Sequence, residues 1–240
     1  MSRPIIGITP DRDDSEENIE SHFFIRRNYC SAIAAGGGIP VVLPYRMDAV
    51  NDYLDMLDGI VFSGGMFDIA PALYGETSRH PDQATLKDDR TRFELAMLRG
   101  VLEKDIPVLG ICGGMQLIAV ELGAALHQHL PSDLATQTEH KQQAPCNEDT
   151  HRILINGGSL LHQILGVDEC RVNSLHHQAV VEKNHRFNVG AIAEDGVIES
   201  IEAPAYSFCV GVQWHPEYFI NGCERNLFTA LIGAAACKRR

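Results

Sequence analysis

The stretch Asp105-Ile-Pro-Val-Leu-Gly-Ile-Cys-Gly-Gly-Met-Gln-Leu-Ile-Ala-Val-Glu-Leu-Gly123 joins an apolar run to a helical pattern through a single cysteine. Ile106 to Ile111 reads as a buried strand, and Met115, Ile118, Ala119 and Leu122 then fall at i, i+3, i+4 and i+7 on one helical face, with Gly123 placed to close the helix. Cys112 therefore stands at a strand-to-helix corner. Gly110, Gly113 and Gly114 surround it and remove the Cβ clashes of a tight turn, as in the G-x-S-x-G turns that present a nucleophile. Unpaired N–H groups and the positive dipole end of a helix favour a thiolate at such a position. Free cysteines are more often inert core side chains, which suits most of the other six at 30, 146, 170, 209, 223 and 237. Core packing alone does not call for three glycines around one cysteine.

Outward from this corner, Pro4 to Ile8, Ile39 to Leu43 and Gly59 to Phe62 are further short apolar runs that read as buried strands. Between them lie helical patterns such as Phe93, Ala96, Met97, Gly100 and Val101. Strands alternating with helices imply a parallel sheet covered on both faces, with ligands outside the carboxyl ends of the strands. After about residue 150 the pattern turns to shorter β-like pieces at 152–155, 170–173, 189–193, 197–201 and 208–213. One helix follows, capped by Asn221 and Glu224, with Phe228, Leu231, Ile232 and Ala235 as its apolar stripe. Two long polar loops, Gly64 to Asp89 and Gln128 to Thr150, are candidates for function.

The chain has 240 residues, which suits a single large domain, and its 45% apolar content is enough for a sizeable core. A net charge of −12 opposes binding to nucleic acid or to an anionic membrane surface. An odd number of cysteines without a C-x-x-C pair fits a reducing compartment, and the opening residues carry no apolar run long enough for a signal or a span. A cytoplasmic location is expected.

A cysteine nucleophile needs a base. Phe208 to Gln213 reads as a strand leading into Gln213-Trp-His-Pro-Glu217, where period-2 alternation puts His215 and Glu217 on one face and Pro216 stiffens the pair. The carboxylate can then orient one ring nitrogen and leave the other for the thiol. Donors for a developing oxyanion are expected from Gly113 N–H and from Gly64 or Gly65, which end the run Asp58 to Gly65. Tyr29, with Ile25, Ala32 and Ile33 at helical spacing, is placed where it could reach the pocket, with the core reading favoured, and His140 and His151 are read as loop or pocket-rim residues.

These segments, Ser63-Gly-Gly65, Gly110-Ile-Cys-Gly-Gly-Met-Gln116 and Trp214-His-Pro-Glu217, resemble in order the class I glutamine amidotransferase superfamily. Residues 35–44 (AGGGIPVVLP), 68–76 (DIAPALYGE) and 172–178 (VNSLHHQ) narrow the resemblance to the γ-glutamyl-γ-aminobutyrate hydrolase family. The resemblance implies one flavodoxin-like α/β domain over residues 1–240, with a mainly parallel sheet, helices on both faces and a short additional β region in the second half. It also implies a triad of Cys112, His215 and Glu217, an oxyanion hole at Gly64 and Gly113, and a glutamyl pocket at Gln116, Ser174 and His176. Where the family often has arginine after the nucleophile, this chain has Gly113, and where it has an Arg-Asp pair before the long helix, this chain has Arg90-Thr91.

The implied reaction is hydrolysis of a γ-glutamyl amide through a cysteine thioester. It requires no metal and no organic cofactor, and no H-E-x-x-H or paired-cysteine site stands in the sequence. The implied partner is a small-molecule γ-glutamyl amide, with homo-oligomerisation left open. Two other readings stand beside this one: a glutaminase subunit passing ammonia to a separate synthase, and a non-catalytic binding protein on the same fold.

Overall fold

The structure, a computed structural model, describes residues 2–13, 21–143, 145–183 and 186–238. Its first half alternates strands and helices: β1 (Ile5–Ile8), β2 (Asp11–Asp13), β3 (His22–Phe24), α1 (Arg27–Ala35), β4 (Ile39–Val42), α2 (Val50–Met56), β5 (Gly59–Phe62), α3 (Asp88–Glu103), β6 (Val108–Ile111) and α4 (Gly113–Glu121). The second half is strand-rich: β7 (Ala125–His127), α5 (Leu130–Asp133), β8 (His151–Ile155), α6 (Leu160–Leu165), β9 (Glu169–Val172), β10 (Ala179–Val181), β11 (Asn188–Ala193), β12 (Ile198–Glu202), β13 (Cys209–Val212) and α7 (Arg225–Lys238). No helix among the described residues is long and apolar enough to cross a membrane.

One sheet runs in the order β4-β1-β5-β6-β13-β12-β11-β8-β9, with β10 pairing β12 and β7. Its first five strands are joined by four parallel pairings. The remaining six pairings are antiparallel. The expectation of a mainly parallel sheet is corrected here: the additional β region of the second half extends the same sheet with antiparallel strands, so that the sheet is mixed. They continue it because β13 pairs parallel to β6 on one side and antiparallel to β12 on the other, so one strand serves both halves.

Burial follows that topology. All four residues of β5, β6 and β13 are buried, so these central strands are apolar or glycine throughout. β8 alternates between buried and outward positions, as a strand with one wet face must. β4, expected to be buried, is instead the edge, with Ile39 and Val42 exposed. On one face of the sheet Leu54, Phe93, Leu98, Met115 and Ile118 of α2, α3 and α4 form the core. On the other, Ile33, Leu161, Leu227, Phe228 and Leu231 of α1, α6 and α7 do so. The Asn221 and Glu224 side chains form the expected capping box, although the chain makes a 3-10 turn over Gly222–Glu224 before α7 begins.

Candidate active site

Three neighbouring strands end side by side, and each delivers one part of the site. β5 leads into Ser63–Gly65, β6 into Cys112 and β13 into His215. Cys112 is the N-cap of α4 and holds φ 53° and ψ −110°, a conformation that side chains rarely adopt. Close backbone packing enforces it. A Cβ on Gly114 would lie 2.1 Å from the Phe62 carbonyl oxygen, and one on Gly110 2.6 Å from the Gly114 carbonyl oxygen. The glycines around the cysteine are thus required by the approach of α4 to β5 and β6.

Gly113 lies under the Phe67 ring, 3.1 Å from where its Cβ would be, so an arginine at this position would have to displace that ring. Phe67 in turn stacks on the Arg90 guanidinium, 4.0 Å from the ring centroid. Arg90 is wholly buried. It donates to the Ser63 carbonyl at 2.8 Å, pairs with Glu94 at 3.1 Å and with Asp11 at 3.2 Å, and fills the space a side chain on Gly65 would need. Sequence reading noted Arg90 only for its missing aspartate neighbour; its structural role is to brace the turn that carries Gly64 and Gly65.

His215 is buried, and its backbone is clamped by Asn173, whose Oδ1 accepts from His215 N–H at 2.8 Å while Nδ2 donates to the His215 carbonyl at 3.3 Å. Its Nδ1 lies 2.8 Å from Glu217 Oε1. The pair is not brought together by an extended stretch, as expected, because Pro216–Tyr218 form a 3-10 turn that folds the carboxylate back onto the ring. Burial opposes the imidazolium. The Glu217 carboxylate and the Cys112 sulfur, to which the ring is hydrogen-bonded, overcome that penalty and raise the His215 pKa to about 10.

Tyr29 bears out both sides of its reading, a core residue that also reaches the site. It is buried on α1, but its hydroxyl accepts from Gly64 N–H at 3.0 Å and lies 3.4 Å from His215 Nδ1. Burial first, and then the Glu217 charge, push its pKa well above the usual phenol value, so it stays protonated. A Cβ on Gly64 would meet His215, Cys112 and Tyr29 at once. Of the expected oxyanion donors, Gly64 N–H is therefore engaged by Tyr29, whereas Gly113 N–H opens the free N-terminus of α4.

Two adjoining cavities open at the site, one bordered by Cys112 and the other by His215. The smaller, about 80 Å³, reaches Cys112, Gly113, Gln116, Asp68, His176 and Gln178. The larger, about 280 Å³, reaches His215, Tyr29, Phe24, Ile25, Arg26 and Cys146. Gly65, Met66, Lys141 and Leu175 border both. Gln116 and His176 thus stand where a pocket exists, with Gln116 Nε2 held by the Gln178 carbonyl at 3.0 Å and Gln213 Oε1 at 3.1 Å. Ser174 lies behind the wall, its hydroxyl donating to the His140 carbonyl at 2.8 Å. Of the two histidines expected on a loop or rim, His140 does lie on a loop while His151 opens β8, and both are buried against Glu199.

Comparison with known proteins agrees with this architecture. A γ-glutamyl-γ-aminobutyrate hydrolase of Escherichia coli O157:H7 is 31% identical, over 91% of this chain and 87% of its own. A glutamine amidotransferase-like protein of Rickettsia prowazekii is 37% identical, over 97% of this chain and 98% of its own. The glutaminase domain of the CTPS of Trypanosoma brucei, solved with acivicin bound, shares the fold at a TM-score of 0.65 and 15% identity, covering 98% of this chain and 94% of that one. The family model of Peptidase C26 matches residues 4–217, and the chain belongs to that family.

Proposed function

We propose that the protein hydrolyses γ-glutamyl amides through a thioester on Cys112, with His215 as acid and base and Glu217 as its orienting carboxylate. The observation that carries the reading is a cysteine on a strained elbow beside a buried imidazole paired with a buried carboxylate, with two adjoining cavities at the site. Cys112 Sγ adds to the γ-carbonyl carbon, and the oxygen takes up negative charge beside Gly113 N–H and Gly65 N–H. The C–N bond then breaks as the imidazolium passes its proton to the departing nitrogen. Water, deprotonated by the now neutral His215, attacks the thioester, the C–S bond breaks, and glutamate leaves.

The proton donor fixes which cavity takes which half. The leaving nitrogen must lie on the side of His215, which borders the larger cavity. The glutamyl group then occupies the smaller one, where Lys141 supplies a cation for the α-carboxylate and Asp68 an anion for the α-ammonium. A cavity of about 280 Å³, walled by Phe24, Ile25 and Tyr29, suits an amine with a carbon chain; ammonia leaving from glutamine has no use for it. This favours an amide hydrolase over an ammonia-delivering subunit.

The test is the purified chain alone, given glutamine and a panel of γ-glutamyl amides of γ-aminobutyrate, polyamines, alkylamines and anilines, ranked by kcat/KM. Turnover of the substituted amides above glutamine, abolished by Cys112→Ala, is the expected result. Turnover that survives Cys112→Ala sinks the mechanism, and a preference for glutamine sinks the amine assignment.

A further inference from the structure

Beside the wall of the smaller cavity, four side chains from separate segments converge on one point. His140 comes from the loop before β8, His151 opens β8, His176 lies between β9 and β10, and Glu199 sits on β12. Glu199 is 0% exposed and the three histidines 4 to 6%. Glu199 Oε1 stands 3.1 Å from His151 Nε2, 3.5 Å from His140 Nδ1 and 3.6 Å from His176 Nε2. Ligands at ~2.0–2.1 Å around a tetrahedral ion are separated by roughly 3.3–3.4 Å; the three distances to Glu199 lie near that value, and the ligand atoms of His140, His151 and Glu199 all lie within 4.8 Å of one another, with His176 outside that set.

The hydrogen bonds on the far side of two rings determine what faces inward. His140 Nε2 lies 2.9 Å from Asp195 Oδ2, and His176 Nδ1 lies 2.9 Å from the Gln178 carbonyl. Each of those nitrogens must carry the proton it donates, which in the neutral ring leaves a lone pair on the other nitrogen. His140 Nδ1 and His176 Nε2 then point lone pairs at a carboxylate oxygen. Among the described residues, both atoms and Glu199 Oε2 are buried without a hydrogen-bond partner. Acceptors turned on one another in a dry interior need a positive centre between them, either a proton on an imidazole or a metal ion. Imidazole nitrogens held from behind by a carboxylate or carbonyl are the usual environment of histidine metal ligands.

We propose that His140, His151 and Glu199, whose ligand atoms lie within 4.8 Å of one another, bind one divalent transition-metal ion of the zinc type, and that His176, 3.6 Å from Glu199 Oε1, closes on the ion as fourth ligand. Three imidazoles and one carboxylate suit zinc or cobalt rather than magnesium or calcium, which prefer oxygen. A closed set of four protein ligands makes the site structural. It ties β8 and β12 to the loop that carries Ser174 to Gln178, and so fixes one wall of the smaller cavity. The ligands are scattered from His140 to Glu199 with no short-range spacing, so no motif marks them in the chain.

The experiment strips the full chain with a chelator and titrates it with Co²⁺, reading visible absorption, then repeats with Zn²⁺ and counts bound metal by mass spectrometry. The expected result is one equivalent per chain, four-coordinate cobalt bands without the thiolate charge-transfer band that cysteine ligation gives, and a raised Tm. Cys112→Ala should bind as the parent does, whereas His151→Asn and the near-isosteric Glu199→Gln should bind roughly ten-fold or more weakly. Absence of stoichiometric binding to the parent chain overturns the proposal, as does a thiolate band or undiminished binding by a folded Glu199→Gln. Because the parent titration needs no variant, misfolding of a substituted chain cannot rescue the idea.

Discussion

Cys112 and His215 follow adjacent parallel strands, yet they are held by opposite means. Around Cys112 the constraint is backbone packed on backbone: α4 closes on β5 and β6 with only glycines between, and the strained φ of 53° persists because nothing can move. Around His215 the constraint is polar and long-range, since Asn173 clamps the main chain, Glu217 takes one ring nitrogen, and Tyr29 links the ring to Gly64. Cys112 is thus fixed by shape and His215 by charge. Shape tolerates changes in pH but not an added methyl; charge does the reverse.

The sharpest way to break this contrast is Gly114→Ala. Its Cβ would meet the Phe62 carbonyl at 2.1 Å, a backbone atom that cannot swing away, so α4 must shift and carry Cys112 with it. A destabilisation of about 3 kcal/mol or more is expected, together with loss of amide cleavage. Gly233→Ala is the matched control, because on α7 its Cβ meets nothing within 4 Å. It should stabilise by roughly 0.5–1 kcal/mol. Melting curves check both, and a Gly114→Ala chain with parental Tm and activity removes the shape argument.

On the charge side, Glu217→Gln keeps a hydrogen-bond acceptor for the ring and removes only the negative charge. Activity should fall roughly 10²-fold or more, with a shift that a shape defect would not produce. Since Glu217 is the main support that raises His215 to about 10 against burial, its loss moves the alkaline limb of the kcat/KM profile to lower pH. The sign for stability is the same. A raised folded pKa contributes fully below the ordinary histidine value of ~6.5 and is lost as pH climbs through the folded value, so Glu217→Gln narrows that window from above. An unmoved alkaline limb would separate the limb from His215.

The same contrast explains what could be read from the chain. Gly110, Cys112, Gly113 and Gly114 are contiguous or nearly so, and their packing role leaves a local mark. The segment Trp214-His-Pro-Glu217 is also local, although the geometry that joins its two polar residues is a turn and not a strand. Asn173, Tyr29 and Arg90 act on the site from 42, 186 and 26 residues away from His215, His215 and Gly64 respectively, and no local pattern marks those contacts; the helical spacing of Tyr29 gives its face but not the partners of its hydroxyl. Asn173 does stand within the quoted 172–178 motif, so a polar residue at the end of a strand was the available signal. The mixed sheet was missed for a related reason: short strands show their own alternation, but not which neighbour they pair with.

Tyr29→Phe sharpens the contrast at the point where the two halves meet. The hydroxyl holds Gly64 N–H and approaches His215 Nδ1, so removing it frees a backbone donor and loosens the base. Removal of an oxyanion donor costs roughly 10²–10³ in kcat. Tyr29→Phe leaves every backbone donor in place, so a loss below about ten-fold in kcat is expected by the same measure. A loss of 10²-fold or more would place the hydroxyl in contact with the reacting atoms.

The smallest effect belongs to Glu224, on the charged side of the molecule but in its scaffold. Burial raises its pKa to about 8, against the pull of the Asn221 and Ile220 backbone groups, while Oε2 accepts from Asn221 N–H at 3.0 Å and Oε1 has no partner. A folded pKa above the ordinary value of 4.5 favours the native state at acid pH, and that contribution drains away as pH rises through about 8. The substitution Glu224→Gln keeps the acceptor the capping box needs, since glutamine serves that position as well as glutamate, and the amide never ionises. Glu224→Gln should therefore match the parent in Tm near pH 5 and exceed it near pH 8, by about 1 kcal/mol or roughly 2–4 °C for a chain of this size. The pH dependence of the difference is the discriminating readout, because Gly233→Ala, acting through shape alone, should stabilise by the same amount at both pH values. A Glu224→Gln advantage that is flat with pH would mean that packing, and not the buried charge, limits the start of α7.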